Sequence, residues 1–189
     1  MRALLKRDPR LRKVVTYTTR PPREGEVEGF DYRFVNSQTF QRLVADGTVY
    51  EYEKVYQDYF YGSPRELFVD GKDGIIELDY KGRMKYQLRH RAVVSVFLLP
   101  PNLHELRRRI VSRSEVSNLE ARLANAVEQI RRARTYDYVV KNEDFETCVA
   151  RVQKIVEVER LRRRGTADLA DIEREIADLD LGSREAQDE

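Results

Sequence analysis

The sequence predicts an α/β fold of three layers around a mainly parallel sheet, on three observations. Two compact apolar runs, Ile75-Ile76-Glu77-Leu78-Asp79 and Val93 to Leu99, are short and rich in β-branched residues, as strands buried on both faces are. Segments with helical apolar spacing stand between the strand-like runs, and strands that alternate with helices fold as layered α/β units. The length of 189 residues suffices for one domain with a real core, and is too short for two of ordinary size.

The elements follow in chain order. Arg2 to Arg7 reads as the end of a helix stopped by Asp8-Pro9. Val14 to Thr18 is a short strand leading into a Pro/Gly loop, and Phe34-Val35 is another. Ser37 is expected to cap a helix carrying Phe40, Leu43 and Val44, closed by Gly47. The Tyr- and Val-rich stretch from Val49 to Tyr61 reads as strands with a turn at Gln57-Asp58. After the two apolar runs, Pro100-Pro101 opens a helix over Leu103 to Val111, since proline is well placed in a first turn. A longer helix is expected from Leu119 to Arg134, a strand from Tyr138 to Val140, and a closing helix from Phe145 to Leu161. Residues 1–165 form the domain and 166–189 an acidic appendix. In it Leu169, Ile172, Ile176 and Leu179 make one apolar stripe on a short helix, which either docks on its own domain or frays, or else binds a partner or a second copy.

Charge is distributed unevenly. Residues 166–189 hold nine acids and two arginines, net −7, against a whole-chain net of +2, which leaves +9 on residues 1–165. No zinc-finger, helix-turn-helix or RNA-binding pattern accompanies the basic body, so anionic small molecules are expected rather than nucleic acid. The lone Cys148 excludes an internal disulfide and reads as a small apolar filler in a reducing compartment. With no apolar run near 18 residues and no signal-peptide core, no membrane partner is expected and the cytoplasm is the default location.

One loop concentrates the chemistry. Thr18-Thr19-Arg20-Pro21-Pro22-Arg23-Glu24-Gly25-Glu26-Val27-Glu28-Gly29-Phe30-Asp31-Tyr32 sets two arginines around stiffening prolines. Arginine's planar fork can hold phosphate oxygens through parallel bonds. Taken alone, Arg-Pro-Pro-Arg also fits a surface polyproline turn. The whole run matches T-T-R-x-P-R-x-G-E-x-x-G-x-D-Y and closely resembles the nucleoside-monophosphate loop of guanylate kinases.

The resemblance covers residues 2 to about 163 and implies a P-loop-kinase-like sandwich. It also implies a small β-rich GMP-binding subdomain over 16–66 and a short helical lid over 112–122. The implied reaction moves the γ-phosphoryl of ATP to GMP or dGMP with Mg²⁺. Arg20 and Arg23 would grip the acceptor phosphate, Tyr32 and Tyr61 would donate to it, Glu26 would orient the loop, and Thr16 lies nearby. Guanine offers one acceptor and adjacent donors, so a carboxylate with a hydroxyl reads it. The resemblance assigns this to Glu51, Ser63 and Asp79, with Glu53 an alternative to Glu51 because the span to Gly62 is longer than the family's. Glu77 would stand near the metal, Arg113 and Arg122 would steady the transferring group, and Asn142 would meet the adenine.

Several positions depart from the family. Lys81 replaces a Gln, Arg83 follows Gly82, Ser114 replaces the Gly of R-G-T, and the lid and the segment after Ser63 are short. The family's G-x-x-x-x-G-K-[ST] phosphate loop lies upstream of the position where Met1 falls. The sole Gly-Lys pair, Gly71-Lys72, precedes Asp73 and has no glycine five residues before it. The expectation is a GMP-side constellation without the ATP phosphate loop or the strand before it, inactive as written and restored by those residues. The alternative is a non-catalytic module that binds GMP or a phosphorylated peptide.

Overall fold

The structure, a computed structural model, describes residues 1–55, 59–67, 71–90, 92–112 and 119–185. Helix α1 (Arg2–Arg7) ends at Asp8, and strand β1 (Leu11–Lys13) pairs in parallel with β6 (Asp73–Ile75). Strands β2 (Thr16–Thr18), β3 (Tyr32–Phe34), β4 (Val49–Val55) and β5 (Tyr59–Pro64) form a four-stranded sheet in the order β3-β2-β5-β4. The β2–β3 pair is parallel, while β2–β5 and β4–β5 are antiparallel. The turn expected at Gln57-Asp58 lies outside the described residues. Strands β7 (Val96–Leu99) and β8 (Tyr138–Lys141) form a second parallel pair.

Around these strands lie α2 (Ser37–Ala45), α3 (Tyr80–Arg89), α4 (Leu103–Ser112), α5 (Leu119–Arg131) and α6 (Phe145–Glu185). Three apolar clusters bind the layers. Leu4, Leu11 and Val149 join α1 to α6; Val14, Leu67 and Tyr86 join the first strand pair to α3; Tyr17, Phe40 and Val49 pack α2 on the four-stranded sheet.

Strand β1 was not expected, α5 stops at Arg131 rather than Arg134, and four further differences are larger or bear on the site. The cap of α2 is Asn36, whose side-chain oxygen accepts from the Thr39 N–H at 2.8 Å, so Ser37 is the first helical residue. The closure at Gly47 holds, with φ +77°. Strand β6 stops at Ile75, so Glu77 and Asp79 lie beyond the strand rather than in it. Asp79 instead caps α3, a helix whose polar sequence gives no apolar stripe to read. Finally, α6 does not end near Leu161 but runs through Gly165 to Glu185. A glycine costs a helix only about 1 kcal/mol relative to alanine, and good helix formers flank this one.

The two parallel pairs, β1–β6 and β7–β8, share no backbone pairing among the described residues. A cavity of about 560 Å³ lies where they face each other, walled by Ile75, Ile76 and Leu78 on one side and Val93, Val96 and Phe97 on the other. The parallel sheet is thus present as two pieces on either side of an apolar cleft.

Candidate functional site

The loop between β2 and β3 is built around a buried guanidinium. Arg20 is 7% exposed. Its two terminal nitrogens donate to both oxygens of Glu26 at 2.8 Å, and Nη1 also donates to the Pro21 carbonyl at 2.7 Å. Its Nε donates to the Tyr61 hydroxyl at 3.1 Å. The guanidinium carbon sits 5.4 Å from the Tyr32 ring centroid and 5.7 Å from that of Phe34. Of arginine's five N–H groups, one on Nη2 is left to face a ligand. Tyr61 accepts from Arg20, so its own O–H is directed away from the guanidinium and can donate elsewhere.

Glu26 closes the loop by also accepting from the Arg23 backbone N–H at 2.8 Å. The Arg20 guanidinium holds the Glu26 carboxyl below the usual carboxylate range, and Glu26 and Tyr61 in turn hold Arg20 protonated more firmly. Burial, with Tyr61 beside it, raises the Tyr32 phenol, which therefore stays a donor. The Tyr32 and Tyr61 rings meet edge-on at 6.0 Å. Arg23 stands exposed at the loop's rim.

Two anchors here have no sequence signature. Arg2 of α1 donates to Asp31 at 2.8 Å, and Lys13 donates to the Asp31 carbonyl at 2.7 Å while lying 5.5 Å from the Phe30 ring. A cation far along the chain carries no local pattern that would mark it as a loop tether.

The second cluster lies on the neighbouring strands. Ser63 pairs with Glu51 across the β4–β5 ladder, and its hydroxyl donates to Glu51 Oε2 at 3.4 Å. Both are buried. Asp79 accepts from the Gly82 N–H at 2.8 Å, capping α3. A Cβ on Gly82 would meet Glu51 Oε2 at 3.2 Å and Asp79 Oδ1 at 3.3 Å, so the missing side chain is what lets the helix start approach both carboxylates. Burial pushes the Glu51 carboxyl up, Asp79 adds to it, and Lys85 opposes it.

Glu53, the alternative to Glu51, is half-exposed and paired with Lys81 at 3.2 Å. Lys81 therefore answers Glu53 rather than the buried pocket. Arg83 is buried for another purpose: it donates to the Thr135 carbonyl at 2.7 Å and hydroxyl at 2.9 Å, and stacks 4.3 Å from the Tyr136 ring centroid. It ties α3 to the turn before β8.

Tyr61 and Ser63 are two residues apart on β5, so one strand face carries a group from each cluster. Thr16 lies on β2 opposite Tyr32 in register. Glu77 is exposed beyond β6, and a point on the cleft wall. Asn142 follows β8; its N–H donates to the Leu99 carbonyl at 2.8 Å and its own carbonyl accepts from Arg109 at 3.4 Å. Arg122 is half-buried on α5. Arg113 lies outside the described residues, as does most of the expected lid.

The charged cradle and the buried carboxylate–hydroxyl pair stand on neighbouring strands, and comparison with known proteins gives the family. The guanylate kinase family model matches residues 1–159. The chain belongs to the guanylate kinase family. It is 40% identical to a guanylate kinase of Paramagnetospirillum magneticum over 177 residues, covering 90% of this chain and 82% of that protein. It is likewise 40% identical to a guanylate kinase of Symbiobacterium thermophilum over 174 residues, covering 88% and 82%. The crystal structure of guanylate kinase from Anaplasma phagocytophilum superposes with a TM-score of 0.70 at 37% identity, over 84% of this chain and 79% of that one. The guanylate-kinase-like chain thus shares the family's α/β architecture. No described helix is long and apolar enough to cross a membrane.

Proposed function

We propose that this chain carries the acceptor half of an ATP-dependent GMP kinase, binding GMP or dGMP for conversion to the diphosphate. The observation that supports it best is the Arg20–Glu26–Tyr61 cradle standing one strand step from the Glu51–Ser63 pair. The 5′-phosphate would lie against the remaining Arg20 N–H, the Tyr61 and Tyr32 hydroxyls and the exposed fork of Arg23. Guanine would lie toward Glu51, Ser63 and Asp79, with the carboxylates accepting from its N–H groups and the Ser63 hydroxyl donating to O6. Adenine would leave those buried groups unpaired, which can discriminate by roughly 10⁴.

Phosphoryl transfer needs alignment and neutralised charge more than covalent help. ATP, the donor, would supply the γ-phosphoryl group. Arg20 and Arg23 would align the acceptor oxygen, Arg122 and Arg113 would neutralise charge around it, and Asn142 would bear on the adenine. Among the described residues no group of three or more His, Cys, Asp or Glu could hold a metal ion unaided. A Mg²⁺ would therefore be held mainly by nucleotide phosphates, with Glu77 contributing one carboxylate.

Lys81 where the family has a Gln, and Ser114 where it has the Gly of R-G-T, favour a second reading, a module that binds GMP or a phosphorylated peptide without transfer. One experiment separates the two. The chain is assayed as given and with an in-frame N-terminal extension carrying a strand and the family's G-x-x-x-x-G-K-[ST], following ATP-dependent GDP formation and GMP binding. GDP formed by the extended chain supports the kinase; GMP binding with no GDP from either chain supports the module. Absence of GMP binding in both would sink the kinase reading, and failure to bind a phosphorylated peptide as well would sink the module.

A further inference from the structure

We propose that this protein self-associates through an antiparallel pairing of α6 with α6 of a second copy, about a two-fold axis at Gly165. From Gly165 to Arg174 every residue of the helix is exposed, so this part of α6 extends away from the other described residues of the chain. A helix segment this short is marginal without packing. It nevertheless carries apolar side chains on one side: Leu169 is 58% exposed and Ile172 52%. The stripe continues backward onto the outer face of the docked part, where Leu161 is 67% exposed and Val158 55%.

The spacing of these residues is symmetric. Val158 and Leu161 stand at −7 and −4 from Gly165, and Leu169 and Ile172 at +4 and +7. At about 100° per residue all five fall within about 40° of one line along the helix. A two-fold axis perpendicular to that line at Gly165 sets residue 165 + k of one copy against 165 − k of the other. Leu161 then meets Leu169 of the second copy, Val158 meets Ile172, and Gly165 meets Gly165. A two-fold interface must be self-complementary in this way. Gly165 has no neighbouring atom within 4 Å of where a Cβ would stand, so the axis falls where two backbones can come close.

Charge selects the same orientation. Residues 151–164 carry six basic and two acidic side chains, net +4; residues 166–185 carry seven acidic and two basic ones, net −5. Antiparallel pairing lays the acidic half of each helix along the basic half of the other, whereas parallel pairing would set like on like. The same mapping puts Asp168 opposite the exposed Arg162. The occupant of this face is therefore a second copy of the chain rather than an acidic or apolar ligand of another kind.

The test is sedimentation of the full chain at micromolar concentration. The expected species has about twice the 22.3 kDa chain mass. Leu169→Glu should return it to one chain mass while keeping the far-ultraviolet circular dichroism of the folded domain, because Leu169 is 58% exposed. Arg162→Glu should weaken association about ten-fold or more, and Arg162→Glu with Asp168→Arg should restore it. Gly165→Cys should form a disulfide-linked dimer on mild oxidation, since the axis places the two new thiols together; the buried Cys148 does not compete. A monomer at all accessible concentrations, a dimer indifferent to Leu169→Glu, or a charge swap that fails to restore association would each overturn the proposal.

Discussion

Replacing Glu26 by Gln tests whether the Arg20 cradle is held together by one buried charge pair. Glu26 presents both oxygens to Arg20, whose side chain is 8% exposed against 20% for Glu26. Gln keeps the shape and one acceptor oxygen but removes the negative charge, leaving a guanidinium buried among Tyr32, Phe34 and Tyr61. Removing one partner of a buried pair costs about 3–5 kcal/mol; Glu26 reaches partial solvent, so the low end, about 3 kcal/mol, applies. For a chain of this size 1 kcal/mol moves Tm by about 2–4 °C, giving a fall of about 6–12 °C. A bound phosphate can supply the lost negative charge, and Glu26 no longer repels it. GMP should therefore raise Tm more in Glu26→Gln than in the parent. The assay is differential scanning fluorimetry with and without saturating GMP at low salt. A fall under about 2 °C would place the pair among surface salt bridges worth about 0–1 kcal/mol. A GMP shift no larger than the parent's would refute the placement of phosphate at Arg20.

Glu51→Gln should act in the opposite sense on stability. An acid whose folded pKa is raised penalises the fold as pH rises above the ordinary carboxylate value, so the variant should melt higher than the parent near pH 7 and equally at pH 4. Its guanine-nucleotide affinity should fall at the same time, read by titration calorimetry. Asp8 is buried and bonded by Arg10 at 3.0 Å and by Arg160, which hold its carboxyl far below the usual range. Its contribution is complete above about pH 4 and lost as pH falls further; Asp8→Asn should cost about 3 kcal/mol near pH 7 and progressively less in acid, read by urea melts. Cys148 is buried and its thiol is raised by burial, so a disulfide reagent should label it at the rate of unfolding rather than on mixing.

The resemblance was legible because chemistry at short spacing leaves a local record. The run from Thr18 to Tyr32 binds its own residues to one another: Arg20 to Glu26, Glu26 to Arg23, Val27 to Asp31. The helices with apolar stripes and the strand within Val93 to Leu99 were legible for the same reason, since pattern is a property of neighbours in sequence, whereas the run Ile75 to Asp79 misled, because β6 ends at Ile75. The sequence analysis read no helix at α3, whose polar surface carries no stripe, and ended α6 near Leu161, whereas the helix runs on through Gly165.

What the sequence determined alone, then, is the set of local devices: a proline-stiffened loop with two arginines, a carboxylate and hydroxyl on adjacent strands, and an unbalanced charge along the chain. The choice between Glu51 and Glu53 belongs to the tertiary structure. Both lie on one face of β4, and burial against Ser63 and Gly82, or pairing with Lys81 from another element, sorts them. The fates of Arg83, Lys13 and Arg2 were decided there too, as was the cleft between β6 and β7. Each depends on which distant segments meet, and a contact between distant segments is paid for by chain entropy and recorded in neither segment's own pattern.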